Sequence, residues 1–517
     1  MTALAGRPAR VPSWDQGVVG KLTGLAGARV VAQLLGLAWF LLAARVFSPV
    51  DFGVLSTALV LVVVIGGLSD LGTTRTVVRH VAADRTSLRS SFVRAATLRG
   101  VAGLALALVV IAVAPQVQDT ISVQVVALAG LIAVASGITE IGFAALRSVG
   151  SVTTEGRLLV VERALFVVAG TAIVLAGGGP VAVLAAYAAT NLVSAGVVSV
   201  RSLGFPGGAG TPSGPLLDAE GRHTAVGSTL VIVGPRISAL LLVVLSTPTV
   251  VGTFSIALKV PEALGILGAA ILLPLLPMVR SQLLDGRGRR AVQDAGRVTA
   301  TVLMAMIPAA ALLAVDGRRV LDLLFGAGTR PGSVATLALL AAVSVLWVVR
   351  TYGEVLLLAQ ERAARYLVAV ASGIVVNLLV GVALVRWSAS TGAATAALLA
   401  EAVVLIITFS SLRTTVGPPT RRLVVPVVAI GVAAVVTAVG GRALPLAVSM
   451  VLVGAWAVGG IVVVGLPLLQ RGDRPDEPVR DSAPAGDDAD IGEQLGGELG
   501  RDGVEAVEYL AGPTDHL

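Results

Sequence analysis

The chain has no cysteine among its 517 residues, and charged and aromatic side chains are both scarce. Without cysteine it can form neither a disulfide framework nor a thiolate metal site. The three histidines, His80, His223 and His516, fall in predicted loops or in the tail, which argues against a histidine-based metal or catalytic site. Charged residues make up 13% of the chain, whereas soluble domains carry about 25%. We therefore expect no metal site, no cofactor, no enzymatic activity and no soluble fold.

Apolar residues dominate instead, at 56% of the chain, with a mean hydropathy of +0.91. A helix needs about 20 apolar residues to cross the hydrocarbon core of a bilayer. The sequence contains about fourteen stretches of this kind, which predicts an all-α integral membrane protein. The predicted spans lie near residues 25–45, 52–71, 95–115, 121–146, 158–177, 180–200, 226–246, 250–275, 298–315, 334–358, 366–386, 392–412, 423–441 and 445–469.

The basic residues follow an alternating pattern along these spans. Six arginines follow the second span and five follow the eighth, and the connections on the other side carry few. Of the 38 Lys and Arg, 27 fall in the segments predicted to be cytoplasmic, six in outer loops and five inside spans. Because cytoplasmic loops retain Lys and Arg, this pattern predicts a multi-pass membrane protein with both termini inside. The loop charges suit contact with membrane lipids, and no nucleic-acid partner is expected.

An internal repeat divides the membrane part. Residues 49–59 align with 248–258, with five of eleven positions identical, and each copy opens a span that leads into an arginine-rich loop. The pattern predicts two six-helix bundles related by a parallel repeat, with two extra C-terminal spans. The predicted organisation is a cytoplasmic N-terminus with an interfacial helix (1–24), a first bundle (25–200), a cytoplasmic linker (201–225), a second bundle (226–412), two extra spans (423–469) and a disordered acidic tail (470–517).

Several segments together resemble a known family. Leu42–Gly53 and Leu68–Gly72 resemble the start of lipid-linked oligosaccharide flippases of the polysaccharide type. Gly252–Glu262, with Leu273–Pro277, resembles the entry to the second half of these proteins. Further similar motifs are VRHVA at Val78–Ala82, LLFG at Leu323–Gly326, NLLVGVALV at Asn377–Val385 and GAATAA at Gly392–Ala397.

The resemblance covers roughly residues 14–470 and points to the multidrug/oligosaccharidyl-lipid/polysaccharide exporter superfamily. It implies a V-shaped transporter of two bundles that works by alternating access in the bacterial cytoplasmic membrane. The implied cargo is an undecaprenyl-diphosphate-linked oligosaccharide, flipped from the inner to the outer leaflet for cell-surface polysaccharide synthesis. The lipid-linked glycan is then the principal partner, and the acidic tail is a candidate contact for glycan-assembly proteins.

Two basic residues inside predicted spans are the leading candidates for binding the diphosphate headgroup. Arg236 lies about ten residues into the seventh span, roughly 15 Å deep, and Lys259 lies at a similar depth in the eighth. A charge inside a bilayer is costly, so it usually faces a cavity or a partner. Arg binds phosphate oxygens with a planar fork, and Lys acts as a point charge. The alternatives are that Lys259 pairs with Glu262, or that either side chain reaches back to the interface.

Other charged residues inside the spans are weaker candidates. Arg29 lies one turn into the first span, as a substrate contact or as an interfacial anchor. Arg350 is a further candidate substrate contact, but its spacing from Glu354 also fits an ion pair within one helix. Glu401 could carry a coupling proton or cation, or could hydrogen-bond a neighbouring hydroxyl. We take Glu401, Glu354 and Glu140 as the candidates for coupling or gating.

Three other functions compete with the flippase prediction. A drug or metabolite antiporter of the same superfamily would use a smaller, more apolar pocket with an acidic coupling cluster. A peptidoglycan lipid-precursor flippase shares the helix count but usually has more cationic charge in its first bundle. A membrane glycosyltransferase or polymerase needs a substantial outer loop with catalytic residues, and the longest outer loop here, about Asp316–Ser333, is short.

Overall fold

The computed structural model describes residues 16–117, 122–205, 226–227, 229–326 and 332–412. This part of the chain is helical and contains no β-strand. Ten of its helices are long and apolar enough to cross a membrane. The helices are α1 (Gln16–Val46), α2 (Pro49–Asp70), α3 (Thr73–Ala83), α4 (Leu88–Val117), α5 (Val123–Ser148), α6 (Val152–Leu175), α7 (Pro180–Leu203), α8 (Ile237–Leu245), α9 (Pro248–Leu272), α10 (Leu276–Leu284), α11 (Gly288–Val315), α12 (Gly317–Phe325), α13 (Ser333–Ala359) and α14 (Ala363–Leu412).

Eleven of the predicted spans begin and end within a few residues of helices or helix arms, or lie inside longer ones. The seventh predicted span, 226–246, contains a shorter apolar helical segment, Thr229–Leu245. A 3-10 turn at Gly234–Arg236 interrupts this segment, because Pro235 lacks a backbone donor. The two extra spans, 423–469, the acidic tail and residues 206–225 of the linker lie outside the described residues, so the total of fourteen stays a prediction.

The helix α14 contains two predicted spans. Its backbone leaves the helical region at Ser388 and at Ala389, where φ is 47°. Side chains then meet in antiparallel register: a Cβ at Gly373 would lie 2.4 Å from Val404, and a Cβ at Gly381 would lie 3.5 Å from Ala396. The helix is therefore a hairpin with arms 363–387 and 390–412, which agrees with spans eleven and twelve.

Three short helices, α3, α10 and α12, lie in segments that the sequence predicts to be loops between spans. The first helix runs without a break from Gln16, so the described part of the predicted interfacial helix continues into α1. The prolines near the end of the eighth span break it: Pro274 lies in a 3-10 turn that separates α9 from α10. Pro261 lies inside α9 itself.

The two copies of the sequence repeat start their helices in the same way. Pro49 and Pro248 each occupy the first turn of a helix, where a missing backbone donor costs nothing. Ser48 precedes the first copy, and its Oγ accepts a hydrogen bond from the Asp51 backbone N–H at 3.1 Å. Thr247 precedes the second copy in the same extended conformation. We call this side of the molecule the Ser48 end and the opposite side the Asp70 end.

Helices α1–α7 pack mainly against one another, as do α8–α14, and α2 and α9 form the main contact between the two halves. At the Ser48 end the repeated glycines meet: a Cβ on Gly252 would lie 3.1 Å from the Cα of Gly53. One apolar core extends through this crossing, with Phe40, Phe52 and Phe254 all buried in it. The outer faces carry exposed apolar side chains, as lipid contact requires. The crossing brings the eighth span against the first bundle, which positions the site described next.

Candidate functional site

One carboxylate holds two cations where the seventh and eighth spans meet. Arg236 ends the 3-10 turn before α8, and its Nη2 lies 2.5 Å from Glu262 Oε1 on α9. Lys259 precedes Glu262 by three residues on the same helix, and its Nζ lies 3.1 Å from Glu262 Oε2. Each cation thus takes one oxygen of the same carboxylate. The side chains are only 9–14% exposed, so the ion pairs are largely removed from water.

The first half contributes an aromatic ring and a third cation to this cluster. The Lys259 Nζ lies 4.9 Å from the centre of the Phe40 ring on α1, a cation–π contact. Gly36 lies one turn before Phe40 on α1 and leaves room for the side chain of Arg163 on α6. A Cβ at Gly36 would lie 3.7–3.9 Å from atoms of that side chain. The next residue back on α6, Glu162, accepts a hydrogen bond from Ser194 of α7. We call Arg163, Arg236, Lys259 and Glu262 the cationic cluster.

Positive charge exceeds negative charge within the cationic cluster. The charged groups that act on the Lys259 ammonium are the Glu262 carboxylate and the Arg236 and Arg163 guanidiniums. Three cations and one carboxylate make up these four side chains, and a second carboxylate, Glu162, lies beside Arg163 on α6. A buried site with several cations attracts a polyvalent anion, because Coulomb energies grow as the surroundings exclude water. The cluster can therefore bind an anionic group from both halves at once.

The structure brings Arg236 and Lys259 together, as the sequence predicts, and it also shows the Lys259–Glu262 pair that was the alternative. Arg29 lies elsewhere: its Nη2 is 3.2 Å from Glu155 Oε1 on α6, and Arg147 also pairs with this carboxylate. Arg29 is seven residues before Gly36, which puts it on the same face of α1 about 10 Å away. It forms a separate ion-pair group, which suits a structural anchor.

Two of the remaining second-half candidates, Arg350 and Glu401, line a cavity, and Glu354 is not part of its lining. Arg350 Nη1 lies 3.3 Å from Glu401 Oε1, and Trp347 Nε1 donates to the same oxygen at 2.9 Å. Glu354 instead accepts a hydrogen bond from the Tyr366 hydroxyl at 2.8 Å. The predicted pair within α13 is therefore replaced by two contacts to α14. The cavity beside Arg350 and Glu401 measures about 40 Å³, which is room for about two or three water molecules.

Glu140 belongs to a fourth charged group, at the Asp70 end of the first half. Arg99 Nη1 lies 3.0 Å from Asp70 Oδ1, and its Nη2 donates to Glu140. The Arg99 side chain is 2% exposed, although the sequence analysis counts it among the loop arginines. In the structure Arg99 lies inside α4 and faces α2 and α5, where its two partners are.

Sequence reasoning missed three of the buried charged residues that matter here. The sequence analysis assigns no role to Arg163, which is one of the five basic residues inside spans, and it takes Glu262 only as an alternative partner for Lys259. Arg99 was placed in a loop. The signal that could have found Arg163 and Glu262 is the cost of a membrane charge, which requires a partner for every charged residue inside a span.

Comparisons with known proteins are consistent with this architecture. The family model for polysaccharide biosynthesis proteins matches residues 42–328, and no curated protein sequence matches the chain. The structure is similar to the lipid II flippase MurJ in an inward closed conformation, with a TM-score of 0.59 and 11% identity, over 87% of this chain and 97% of that one.

Two multidrug resistance transporters of the MATE family, in the MOP superfamily, are also similar in structure. The outward-facing one has a TM-score of 0.54 and 12% identity, over 76% of this chain and 95% of its own. The inward-facing one has a TM-score of 0.53 and 16% identity, over 76% of this chain and 94% of its own. Likeness at these identities shows the fold, and it confirms the predicted class of all-α, multi-pass membrane protein.

Proposed function

This chain belongs to the polysaccharide biosynthesis protein family, and on that premise we propose that it flips an undecaprenyl-diphosphate-linked oligosaccharide from the inner to the outer leaflet by alternating access. The observation that supports this cargo most directly is the cationic cluster, where Arg236 and Lys259 share the Glu262 carboxylate and the Arg163 guanidinium acts on Lys259. A lipid diphosphate supplies several anionic oxygens, and Arg and Lys both bind such groups.

The proposed transport step makes and breaks no covalent bond. The cationic cluster holds the headgroup at the junction of the two halves, while the lipid chain stays in the bilayer. In the proposed orientation both termini are cytoplasmic, so the Ser48 end faces outward. The contact of Gly53 with Pro248 and Gly252 then closes the outer side and must open for release. The acidic tail is the proposed contact for glycan-assembly proteins.

The charge of the cluster separates this function from a drug antiporter. A cationic drug would need a site where carboxylates outnumber cations, and the cationic cluster has the reverse balance. A peptidoglycan lipid precursor also carries a diphosphate, and the similar MurJ structure is named as a lipid II flippase. Lipid II is therefore the comparison cargo in the experiment that tests the proposal.

The test is a translocation assay with the purified full chain in proteoliposomes. A fluorescent undecaprenyl-diphosphate oligosaccharide, fluorescent lipid II and a cationic drug are compared as cargo, with membrane-impermeant quenching as the readout. We expect flipping of the oligosaccharide lipid at a higher rate than either alternative. Transport of the drug without flipping of either lipid would refute the proposal, and preference for lipid II would replace the cargo.

Variants connect this activity to the site. Arg236→Gln and Lys259→Gln each remove one of the two charges that bind Glu262, and we expect each to reduce flipping at least about tenfold, the effect of losing about 1.4 kcal/mol. The matched control is Arg318→Gln on α12, since Arg318 is 79% exposed. Normal flipping by both cluster variants, at equal amounts of folded protein, would exclude the cationic cluster as the headgroup site.

A further inference from the structure

Three side chains of the second half form a buried group close to the Arg236–Glu262 ion pair. The Glu401 carboxylate, on the second arm of α14, contacts two side chains of α13 through its Oε1 atom. Trp347 Nε1 donates to this oxygen at 2.9 Å, and Arg350 Nη1 lies 3.3 Å from it. Glu401 is 8% exposed, so these contacts join α13 to α14 largely away from water. We call Trp347, Arg350 and Glu401 the Glu401 group.

The cavity beside the Glu401 group is too small for the cargo. Its volume of about 40 Å³ is room for about two or three water molecules and not for a diphosphate. Arg350 Nε and Glu401 Oε2 are buried and have no hydrogen-bond partner in the part of the chain that the structure describes. The cavity therefore suits water. Any effect of these residues on transport must pass through their neighbours.

Arg236 is one of the residues that such an effect would reach. Gly234 and Pro235, directly before it in the chain, form part of the cavity wall. Pro235 has no backbone N–H, so this turn lacks one hydrogen bond of a regular helix and depends more on its surroundings for its position. Gly234 packs on the first arm of α14, where a Cβ would lie 3.2 Å from Ile374. The position of Arg236 therefore depends on how the arms of α14 are held around the cavity.

Glu262, the partner of Arg236, also has a neighbour in the Glu401 group. Gly265 lies three residues after Glu262 on α9, and a Cβ at Gly265 would lie 2.5 Å from the Trp347 ring. Glycine allows this close approach of the ring to the helix backbone. Trp347 thus contacts α9 with its ring and binds Glu401 with its N–H.

Both members of the Arg236–Glu262 ion pair therefore lie next to elements that the Glu401 group joins. We propose that Trp347, Arg350 and Glu401 are positioning residues, which fix the turn before α8 relative to the charged turn of α9. This inference rests on the proposed function. Arg350 then acts on the headgroup through Arg236 and makes no contact with the cargo itself.

Trp347→Phe tests this role, because it removes the N–H that binds Glu401 and keeps an aromatic ring against α9. We expect flipping of the fluorescent oligosaccharide lipid in proteoliposomes to slow about fivefold, the effect of losing one hydrogen bond worth about 1 kcal/mol. The matched control is Trp387→Phe, since Trp387 is 85% exposed. This control should flip at the rate of the unmodified chain.

A double variant shows whether Trp347 acts through Arg236. If it does, Trp347→Phe combined with Arg236→Gln should flip within about twofold of Arg236→Gln alone, because the residue being positioned is already gone. Independent losses, including general damage to the fold, would multiply to about fiftyfold below the unmodified chain. Such a product of the two effects overturns the inference, and so does normal flipping by folded Trp347→Phe.

Hydrogen exchange measured by mass spectrometry on the full chain in lipid nanodiscs follows the turn without any cargo. The Ile237 N–H donates to the Gly234 carbonyl in this turn, and a turn that is held less firmly exchanges faster. We expect faster exchange in the peptide containing the turn for Trp347→Phe and Glu401→Gln, and no change for Trp387→Phe. Unchanged exchange in folded Trp347→Phe overturns the inference, and this variant decides the matter if Glu401→Gln does not fold.

The two measurements separate failure of the inference from failure of the proposed function. An unmodified chain that flips the oligosaccharide lipid, with equal flipping by Trp347→Phe, contradicts only the positioning role. An unmodified chain that flips no lipid refutes the proposed function. Faster exchange in Trp347→Phe then still supports the positioning of the turn, and unchanged exchange overturns it.

Discussion

Replacing Gly53 by alanine should force α2 and α9 apart at the Ser48 end. A Cβ at this position would lie 2.0 Å from the carbonyl oxygen of Pro248 and 2.8 Å from the backbone nitrogen of Thr249. These are backbone atoms, so no side-chain rotation can relieve the clash. An ordinary van der Waals contact begins at 3.4 Å, so the crossing must widen by about 1.4 Å. Overpacking of this kind costs about 1–3 kcal/mol, which lowers the population of the closed arrangement by a factor of about 5–150.

Distance measurement between spin labels tests this prediction, and the cysteine-free chain allows labels without background. Cysteines replacing Val123 and Trp387 place labels on opposite halves at the Ser48 end, at positions 51% and 85% exposed. We expect longer label distances with Gly53→Ala. The control is Gly66→Ala on the same helix, since a Cβ at Gly66 meets nothing within 4 Å. Gly252→Ala should have a smaller effect, because its closest contact is 3.1 Å. Identical distance distributions for the Gly53 variant and the control would refute the reasoning.

Three further changes have defined outcomes. Arg99→Gln removes the buried cation that two carboxylates share and should cost about 3–5 kcal/mol of stability. We expect a lower unfolding temperature for this variant than for the exposed control Arg89→Gln, and equal temperatures would contradict the prediction. Arg45→Gln removes hydrogen bonds to backbone carbonyls at the end of α12, which are worth about 1 kcal/mol each. It should lengthen the distance between labels at Val123 and Trp387, and an unchanged distance would contradict a role of Arg45 in joining the two halves. In intact cells, an impermeant maleimide should label Arg318→Cys but should label Leu284→Cys only after permeabilisation; the reverse pattern would invert the proposed orientation.

Most of the fold could be predicted because apolar length is a direct physical requirement of a bilayer. The sequence-based predictions fail for helical segments that do not cross the bilayer. The short helix α12 covers only Gly317–Phe325, within the predicted outer loop Asp316–Ser333, and its apolar content is too small to register as a span. The start of α4 was predicted at 95 because the arginines from Leu88 onward look like a loop. The sequence alone does not show whether an arginine lies inside a helix or in a loop. For Arg99, only the packing of α4 against α2 and α5 decides this.

The site could be predicted in part for a related reason. Arg236 and Lys259 are separated by a short turn, so their meeting follows from chain connectivity. Arg163 lies on α6, and nothing in its local sequence indicates that it approaches the eighth span. Its position depends on α1, where Gly36 leaves space for the guanidinium and Phe40 reaches Lys259. Contacts between distant segments are set by tertiary packing, which a single sequence does not encode in any local pattern.

The two copies of the repeat begin their helices in the same way, but they do not share the charged residues of α9. The 199-residue offset that aligns Pro49 with Pro248 also aligns Val60 with Lys259 and Val63 with Glu262. Both valines are buried in the apolar core. The crossing at Gly53 is therefore built by two similar helix starts, while the charged turn of α9 has no counterpart on α2. Under the proposed function, a headgroup bound by Arg236 and Lys259 moves with the second half. Arg163 and Phe40 of the first half contact it only while the halves are together, so their separation weakens binding and favours release.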